Sequence, residues 1–290
     1  MNIVVTGANG QLGSQLKDSA SIDWMKFSFL DRNDLDLCDE LDVVKKLEEL
    51  KPNIILNCAA YTNVDKAETE IDIAKKVNHE GVINLIKYIK KNNNETILFH
   101  VSTDYVFNGK KNNPYSEKDS TSPINAYGFS KLLGEEEIIK SGIMHVILRT
   151  SWVFSKYKKN FLTTMLKLAD RHSIDVVNDQ IGGPTSTSSI VSTIFLFIEK
   201  IKFQKFDDWG IYHFCGYPYA SWADFANHVF EELNKKTNQK IPIVNNISSK
   251  EFVVPAKRPK SSKLSCEKIK SIGIQCCDWK NEVKKIILEL

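Results

Sequence analysis

The feature that most constrains this chain is a glycine-rich turn between a short apolar run and an amphipathic stretch near the N-terminus. Residues 2–6 are rich in β-branched side chains, and Gly7, Gly10 and Gly13 follow them before an amphipathic run to about Ser19. Glycines let the backbone turn tightly and approach a pyrophosphate, whose charge meets the amides of a helix N-terminus. Strand, glycine-rich turn and helix in this order predict a dinucleotide-binding unit.

The alternation of strand and helix continues through the first half of the chain. Further strands are predicted at about residues 27–30, 53–57, 96–101 and 144–148, and helices at 39–50, 64–91 and around Tyr127. Repeated alternation predicts a parallel sheet with helices on both faces, which is a doubly wound α/β fold of the Rossmann type.

Beyond Trp152 the alternation weakens. Helices are predicted at about residues 160–171, 187–201, 222–235 and 278–290, and short strands at 174–177 and 211–214. We therefore expect an NAD(P)-binding Rossmann domain over residues 1–150. Residues 151–290 are expected to form mainly a smaller α/β substrate-binding portion, with some segments returning to the Rossmann sheet.

Two further places mark the expected cofactor site. The second strand ends at Asp31 and Arg32, eighteen residues past Gly13. A carboxylate here accepts hydrogen bonds from an adenosine ribose and favours NADH, whereas an arginine holds the 2′-phosphate of NADPH, so these two residues leave the choice open. Ala59 and Ala60 follow the third strand, where small side chains let a cofactor lie against the backbone.

Tyr127 and Lys131 are the strongest candidates for chemistry. On a helix, their spacing places both side chains on one face, with Cβ atoms roughly 5–6 Å apart. A positive charge about 4 Å from a phenol contributes on the order of 4 kcal/mol at an effective dielectric of about 20. That energy would lower a tyrosine pKa by about three units, towards the range that a general acid needs. The alternative is an ordinary helix face with a solvated lysine.

Composition excludes several classes of protein. Lys and Arg number 39 against 36 Asp and Glu, an excess too small and too scattered to indicate nucleic-acid binding. The most apolar later window, residues 190–198, is too short to span a bilayer, and the run at 3–5 is too short for a signal peptide. Six cysteines without a C-x-x-C pair predict reduced thiols in a cytoplasmic protein and no metal site.

Seven sequence blocks carry a resemblance to a known family. They lie, in order, at residues 7–13, 57–68, 102–107, 127–135, 149–153, 178–185 and 258–264. Through them the chain resembles the dTDP-4-dehydrorhamnose reductase family of extended short-chain dehydrogenases/reductases over nearly its full length. The resemblance implies NAD(P)H-dependent reduction of the 4-keto group of dTDP-4-dehydro-6-deoxy-L-mannose to dTDP-L-rhamnose. It implies NADPH as the cofactor, with NADH as an alternative.

Roles for individual residues follow from the same resemblance. Tyr127 would donate the proton to the 4-oxygen, Lys131 would bind the nicotinamide ribose and lower the pKa of Tyr127, and Thr103 would hydrogen-bond the carbonyl oxygen. The implied cofactor contacts are Gly10, Gln11, Leu12, Asp31, Asp36, Leu37, Ala60, Tyr61, Thr62 and Val101. The implied sugar contacts are Asp104, Trp152 and Gln180. Arg258 suits a bidentate contact with the substrate diphosphate, although an ordinary ion pair is equally compatible with the sequence.

The family also includes metal-bridged dimers that use acidic residues after the 178–185 block. Residues 186–189 are Ser-Thr-Ser-Ser here, which argues against a bridging Mg²⁺ but leaves a homodimer as the expected assembly. Two other functions stay open. One is another nucleotide-sugar reductase, epimerase or dehydratase, although Asp104 is followed by Tyr105 and not by the second carboxylate of dehydratases. The other is a non-catalytic NADP-binding subunit of the methionine adenosyltransferase type.

Overall fold

A computed structural model describes residues 1–92 and 95–290. The strands are β1 (Asn2–Thr6), β2 (Lys26–Leu30), β3 (Ile54–Asn57), β4 (Ile97–Thr103), β5 (His145–Thr150), β6 (Val153–Phe154), β7 (Ser173–Val177), β8 (Ile181–Gly182), β9 (Thr185–Ser186), β10 (Gly210–His213), β11 (Ala220–Ser221) and β12 (Ile243–Ile247). The α-helices are α1 (Gln11–Ser19), α2 (Glu40–Leu50), α3 (Val64–Ala67), α4 (Ile71–Lys75), α5 (Gly81–Lys91), α6 (Ala126–Ser141), α7 (Phe161–Lys167), α8 (Thr187–Phe203), α9 (Trp222–Thr237), α10 (Glu267–Ser271) and α11 (Trp279–Glu289).

Six parallel strands form the central sheet, in the order β10-β5-β4-β3-β1-β2. The chain leaves β1 towards β2 on one side and returns to β3 on the other, so the strand order reverses between β1 and β3. Open α/β sheets bind ligands outside the carboxyl ends of the strands at such a reversal. The glycine-rich turn follows β1 directly, at this position. The Rossmann-type α/β fold predicted from the sequence is confirmed.

Helices cover both faces of the sheet. On one face α1 and α8 pack over a core that includes Phe99 and Phe197, whose rings meet edge to face at 5.6 Å. On the other face α2, α5 and α6 contribute Val43, Leu85 and Ile138 to a second core. All four residues of β3 are buried, as expected for a strand covered on both sides. Burial of each large apolar side chain stabilises the fold by about 1.5–3 kcal/mol.

The prediction of one long helix over residues 64–91 was wrong. The segment consists of α3, α4, a π-helical turn at Lys76–Glu80 and α5. Asn63 caps α3 by accepting a hydrogen bond from the amide of Lys66, and the helix ends after one turn. The π-helical turn carries buried Asn78, whose side chain bonds the backbone of Tyr61. The helical path is broken at residues 68–70, and from Ile71 to Lys91 it continues through the π-helical turn. The apolar periodicity does not show this break.

The second half contributes to the central sheet and also forms a smaller core. Strand β10 pairs in parallel with β5, and α8 packs on α1. The other short strands pair as β6 with β9, β7 with β12 and β8 with β11. Helices α7, α9 and α11 enclose a third core around Phe154, Phe225 and Trp279. A domain boundary at residue 150 stays a prediction. Across residues 1–92 and 95–290, no helix is long and apolar enough to cross a membrane.

Candidate active site

The glycine-rich turn lies against the loop that follows β3. Gly7 has a φ of +69°, and a Cβ there would stand 2.7 Å from the Cα of Ala59. A Cβ on Gly13 would stand 2.5 Å from the carbonyl oxygen of Gly7. Gly10 precedes α1 and supplies no side-chain cap, so the first amides of α1 stay available to an anion. The glycine-rich turn after β1 and the Ala59–Ala60 loop after β3, both predicted to bind a cofactor, therefore contact each other.

A buried asparagine holds the loop that follows β3. The amide of Tyr61 donates to Asn78 Oδ1 at 2.8 Å, and Asn78 Nδ2 donates to the Tyr61 carbonyl at 3.1 Å and to Ser130 Oγ at 2.9 Å. The Tyr61 hydroxyl donates to Glu70 at 2.6 Å, and this bond raises the pKa of Tyr61 to about 12. Asn78 thus ties the Ala59–Thr62 loop to α6. Sequence reasoning missed Asn78, because it lies inside what was predicted as an ordinary helix.

Asp31 and Arg32 stand at the end of β2, on the same side as the glycine turn. The amides of Asn33 and Asp34 donate to Asp31, as does Asn9 Nδ2 at 2.6 Å, and these bonds hold the pKa of Asp31 below its usual range. The carboxylate of Asp31 is therefore committed to its own turn, whereas Arg32 is exposed. This arrangement suits a 2′-phosphate better than a free ribose.

The remaining predicted cofactor contacts are dispersed around this edge. Leu12 is buried in the core, and Gln11 accepts a hydrogen bond from Ser155 at 2.8 Å. Asp36 accepts from the amide of Cys38 at 3.0 Å, and Leu37 is buried against Gly81. These side chains serve the fold here, and their contact with a cofactor stays a prediction.

Thr103 and Asp104 lie together at the carboxyl end of β4. Thr103 is buried, accepts a hydrogen bond from the amide of Tyr105 at 3.2 Å and donates to Asp104 Oδ1 at 3.1 Å. Asp104 is 3% exposed, and burial raises its pKa to about 7, although the nearby hydroxyls of Ser262 and Thr103 oppose the rise. Within the described residues its Oδ2 has no hydrogen-bond partner. The site therefore contains a carboxyl group whose ionisation is disfavoured by burial.

Tyr127 lies in the first turn of α6, which Asn125 caps by accepting from the amide of Gly128. Its ring meets Tyr105 edge to face at 5.9 Å. Burial raises the pKa of Tyr127 to about 12, and the Asp104 carboxylate adds to the rise, while the Thr103 hydroxyl opposes it. Tyr127, Thr103 and Asp104 thus lie together, and the roles that the resemblance implies for them stay predictions.

The expected lowering of the Tyr127 pKa by Lys131 is not present in this structure. Lys131 is buried, and its Nζ lies 2.8 Å from the Val101 carbonyl oxygen, to which it donates, and 3.0 Å from His100 Nε2. Burial lowers the pKa of Lys131 to about 8. The ammonium is directed towards β4, and the shift in the Tyr127 pKa comes from burial, Thr103 and Asp104 and not from Lys131. Val101 therefore supports Lys131 through its carbonyl.

Trp152 follows β5 and adopts a left-handed backbone with φ of +47°. Its ring stacks on Trp222, with centroids 3.5 Å apart and planes 3° from parallel. A Cβ on Gly182 would stand 2.5 Å from the Trp152 ring and 2.8 Å from Ser262 Oγ, so Gly182 lies between these two side chains. Ser262 in turn lies near Asp104. Only one broad face of Trp152 is left for a ligand. Trp222 was predicted only as the start of a helix, since stacking between distant segments leaves no local signal.

Arg258 is paired with a carboxylate. Its Nη1 and Nη2 donate to the two oxygens of Asp65 at 3.0 and 2.8 Å. The structure thus shows the ion pair that the sequence allowed, and a contact with a substrate diphosphate stays a prediction. Gln180 is 8% exposed in the turn between β7 and β8, and its place in the pocket likewise stays a prediction.

The serine-rich segment after β9 binds a carboxylate within the chain. Ser186 and Ser188 donate to Glu282 Oε2 at 3.0 and 2.6 Å, and Lys285 donates to Glu282 Oε1 at 2.7 Å. Three donors hold the pKa of Glu282 below its usual range despite burial. Among the described residues, no group of three or more His, Cys, Asp or Glu side chains is arranged to hold a metal ion.

Comparison with known proteins is consistent with this site. The family model described as "RmlD substrate binding domain" matches residues 1–290. A dTDP-4-dehydrorhamnose reductase from Aggregatibacter actinomycetemcomitans is 41% identical over 98% of this chain and 97% of its own length. A dTDP-4-dehydrorhamnose reductase structure from Clostridium acetobutylicum has a TM-score of 0.91 and 34% identity, covering all of both chains. One from Bacillus anthracis, solved in complex with NADP, has the same TM-score and identity and covers 100% of this chain and 99% of its own.

Proposed function

The chain belongs to the RmlD substrate-binding-domain family, and from that membership we propose that it reduces the 4-keto group of dTDP-4-dehydro-6-deoxy-L-mannose to give dTDP-L-rhamnose. The single observation that carries the proposal is the group formed by Tyr127, Thr103 and Asp104 beside the glycine-rich turn. These two hydroxyl groups and one carboxyl group lie at the carboxyl edge of a sheet whose topology suits a dinucleotide. Curated relatives named for this activity support the substrate.

NADPH, when bound, supplies the hydride to the carbonyl carbon. The residues of the chain supply the proton and the orientation. The Thr103 hydroxyl, which donates to Asp104 in this structure, would turn to donate its proton to the carbonyl oxygen when the sugar binds. Tyr127 would transfer its proton to that oxygen as negative charge develops on it. A pKa of about 12 keeps the phenol protonated until then. Lys131 holds the nicotinamide ribose, and the one free face of Trp152 lies against the sugar.

We propose NADPH as the preferred cofactor over NADH. Arg32 is exposed beside an Asp31 that is already bonded to Asn9 and to two backbone amides. An arginine offers a bidentate contact to a 2′-phosphate, while an occupied carboxylate accepts poorly from a ribose hydroxyl. The NADP complex of the Bacillus anthracis relative supports the same choice.

Assembly and location complete the proposal. We propose a homodimer in the cytoplasm, acting on a dTDP-sugar without a bridging Mg²⁺. Ile73 on α4 and Phe129 on α6 are 51% and 43% exposed, and the two helices pack together. These side chains form an apolar surface that a second copy of the chain would cover. The six cysteines are free thiols, as a reducing compartment keeps them. Sedimentation velocity with and without EDTA tests the dimer and its independence of metal.

Substitution of Tyr127 tests the chemical role. Tyr127→Phe keeps the ring and removes the proton donor, so turnover falls by about 10²–10⁴, the usual contribution of a positioned general acid. Tyr88→Phe is the matched control, because Tyr88 is buried and its hydroxyl donates to the Leu47 carbonyl, away from the site. Equal turnover in the two variants, both folded by circular dichroism, would remove Tyr127 from the mechanism.

A dehydratase is disfavoured because Asp104 is followed by Tyr105, which carries no second carboxylate. An epimerase would return the keto sugar or its alcohol without net reduction. A non-catalytic NADP-binding subunit predicts cofactor binding with no turnover of any keto sugar. Product analysis by mass spectrometry separates these functions, since only reduction adds two hydrogens to the sugar.

A further inference from the structure

A line of buried polar side chains runs beneath the proposed cofactor site. Thr6 Oγ1 lies 2.7 Å from Asn57 Oδ1, Asn57 Nδ2 lies 3.0 Å from His100 Nδ1, and His100 Nε2 lies 3.0 Å from Lys131 Nζ. Thr6, Asn57, His100 and Lys131 are all at most 2% exposed. The line crosses the carboxyl halves of β1, β3 and β4 and ends at the lysine of α6.

The proton positions along this line are coupled to the charge of Lys131. An ammonium has only donors, so beside charged Lys131 the Nε2 of His100 must be the acceptor. A neutral imidazole then carries its proton on Nδ1 and donates it to the oxygen of the Asn57 amide, whose NH₂ group faces Thr6. With neutral Lys131, the ring donates from Nε2, and the Asn57 amide has the orientation seen in this structure, with Oδ1 at Thr6 and Nδ2 at His100 Nδ1. The arrangement for charged Lys131 needs the same amide turned by 180° about its last side-chain bond. The amide oxygen and nitrogen have the same shape, so both arrangements fit the cavity.

We propose that His100 is a positioning residue that fixes the direction and charge of Lys131, with Asn57 and Thr6 holding the ring in the required tautomer. The proposal rests on the proposed function only in assigning Lys131 to the nicotinamide ribose. Two of the three ammonium protons are taken by His100 and the Val101 carbonyl. The third is left to point out of the buried line, towards a ligand.

The charges around the pair are consistent with this role. Burial lowers the pKa of Lys131 to about 8, and the acidic groups that oppose the change are Glu135 of α6 and Cys58 after β3. Burial also lowers the pKa of His100 well below its usual range, and Lys131 and His145 lower it further. His100 therefore stays neutral at physiological pH, as an acceptor for an ammonium must.

The tautomer of His100 in the wild-type protein gives a test that needs no substrate and uses a variant only to assign the signal. At pH 6.5, where Lys131 is charged, ¹⁵N NMR of histidine-labelled protein should show the His100 ring protonated on Nδ1. The signal is assigned by its loss in His100→Gln. A ring protonated on Nε2 at this pH would overturn the proposal, because it leaves no acceptor for the ammonium.

Substitution of His100 tests the effect on Lys131. In His100→Leu the ammonium loses a charge-assisted hydrogen bond, so the Lys131 pKa, followed by NMR of ¹³C-labelled lysine, falls by about one to two units. The alkaline limb of kcat/KM moves to lower pH by the same amount, and the Kd for NADPH rises. His100→Gln retains an acceptor oxygen and should keep the Lys131 pKa within about half a unit of wild type.

His145→Leu is the matched control, since His145 is a buried histidine on β5 whose Nδ1 lies 2.8 Å from the Ile143 carbonyl oxygen and not at Lys131. It should change thermal stability without moving the pH profile. If His100→Leu likewise changes only stability, His100 is structural and the proposal fails. A wild-type chain that does not turn over the keto sugar would overturn the proposed function. The NMR measurements and the NADPH affinity would still decide the role of His100.

Discussion

Replacement of Asp104 by asparagine should stabilise the protein at neutral and alkaline pH, by an amount that disappears in acid. Asp104 is 3% exposed, and burial raises the pKa of its carboxyl to about 7 from an ordinary 3.8. Between these values the unfolded state loses its proton before the folded state does. The free energy of unfolding therefore falls as pH rises through this window.

The shift of about three units corresponds to about 4 kcal/mol at full ionisation, as an order of magnitude. Asp104→Asn keeps the shape of the side chain and cannot ionise, so it avoids this cost. The variant should exceed wild type in unfolding free energy by a few kcal/mol at pH 8, where denaturant titration measures it. The difference should be close to zero near pH 4.

Asp119 provides a control of opposite sign. Its carboxylate accepts from Lys111 and from the amide of Ser116, and these contacts lower its pKa to about 2. A group with a lowered pKa contributes stability above its unfolded value and loses it as pH falls, so Asp119→Asn should destabilise the protein at pH 8. If Asp104→Asn changes the free energy of unfolding by the same amount at pH 4 and at pH 8, the Asp104 carboxyl is not held neutral by burial.

Three further predictions follow from the contacts at the site. Gly7→Ala places a Cβ 2.7 Å from the backbone of Ala59 and should reduce NADPH affinity at least tenfold by calorimetry; an unchanged Kd would contradict the close approach. Trp222→Ala removes the ring that supports Trp152 and should raise KM for the sugar while the Kd for NADPH stays constant, so a selective loss of NADPH binding would argue against it. Arg32→Ala should reduce the kcat/KM preference for NADPH over NADH, and a preference equal to wild type would exclude Arg32 from the phosphate site.

Local patterns were sufficient to predict the sheet and much of the site. Apolar runs ending in Thr6, Asn57 and Thr103 predict parallel strands, and parallel strands bring their carboxyl ends to one edge. Helical spacing placed Tyr127 and Lys131 together on α6. The residues that sequence reasoning identified at these strand ends do meet at one edge in the structure.

What the sequence did not reveal depends on contacts between distant segments. Asn78 lies in a π-helical turn and accepts a hydrogen bond from the amide of Tyr61, seventeen residues away. Trp222 supports Trp152 across the smaller core, seventy positions along the chain. Lys131 lies against His100 and the Val101 carbonyl, and its i,i+4 spacing from Tyr127 does not reveal these partners. Periodicity reports which face of an element is buried, and it carries no information on which polar partner is buried with it.

The most direct test of the proposed reduction is the consumption of reduced nicotinamide, followed by absorbance, by the wild-type protein. The dTDP-4-keto-6-deoxy sugar is generated in place by a dehydratase, with or without the epimerase that gives the L-configured ketone, and NADPH and NADH are supplied separately. We predict turnover that requires the epimerase and is faster with NADPH. Binding of NADPH without turnover of this ketone would contradict the assigned function.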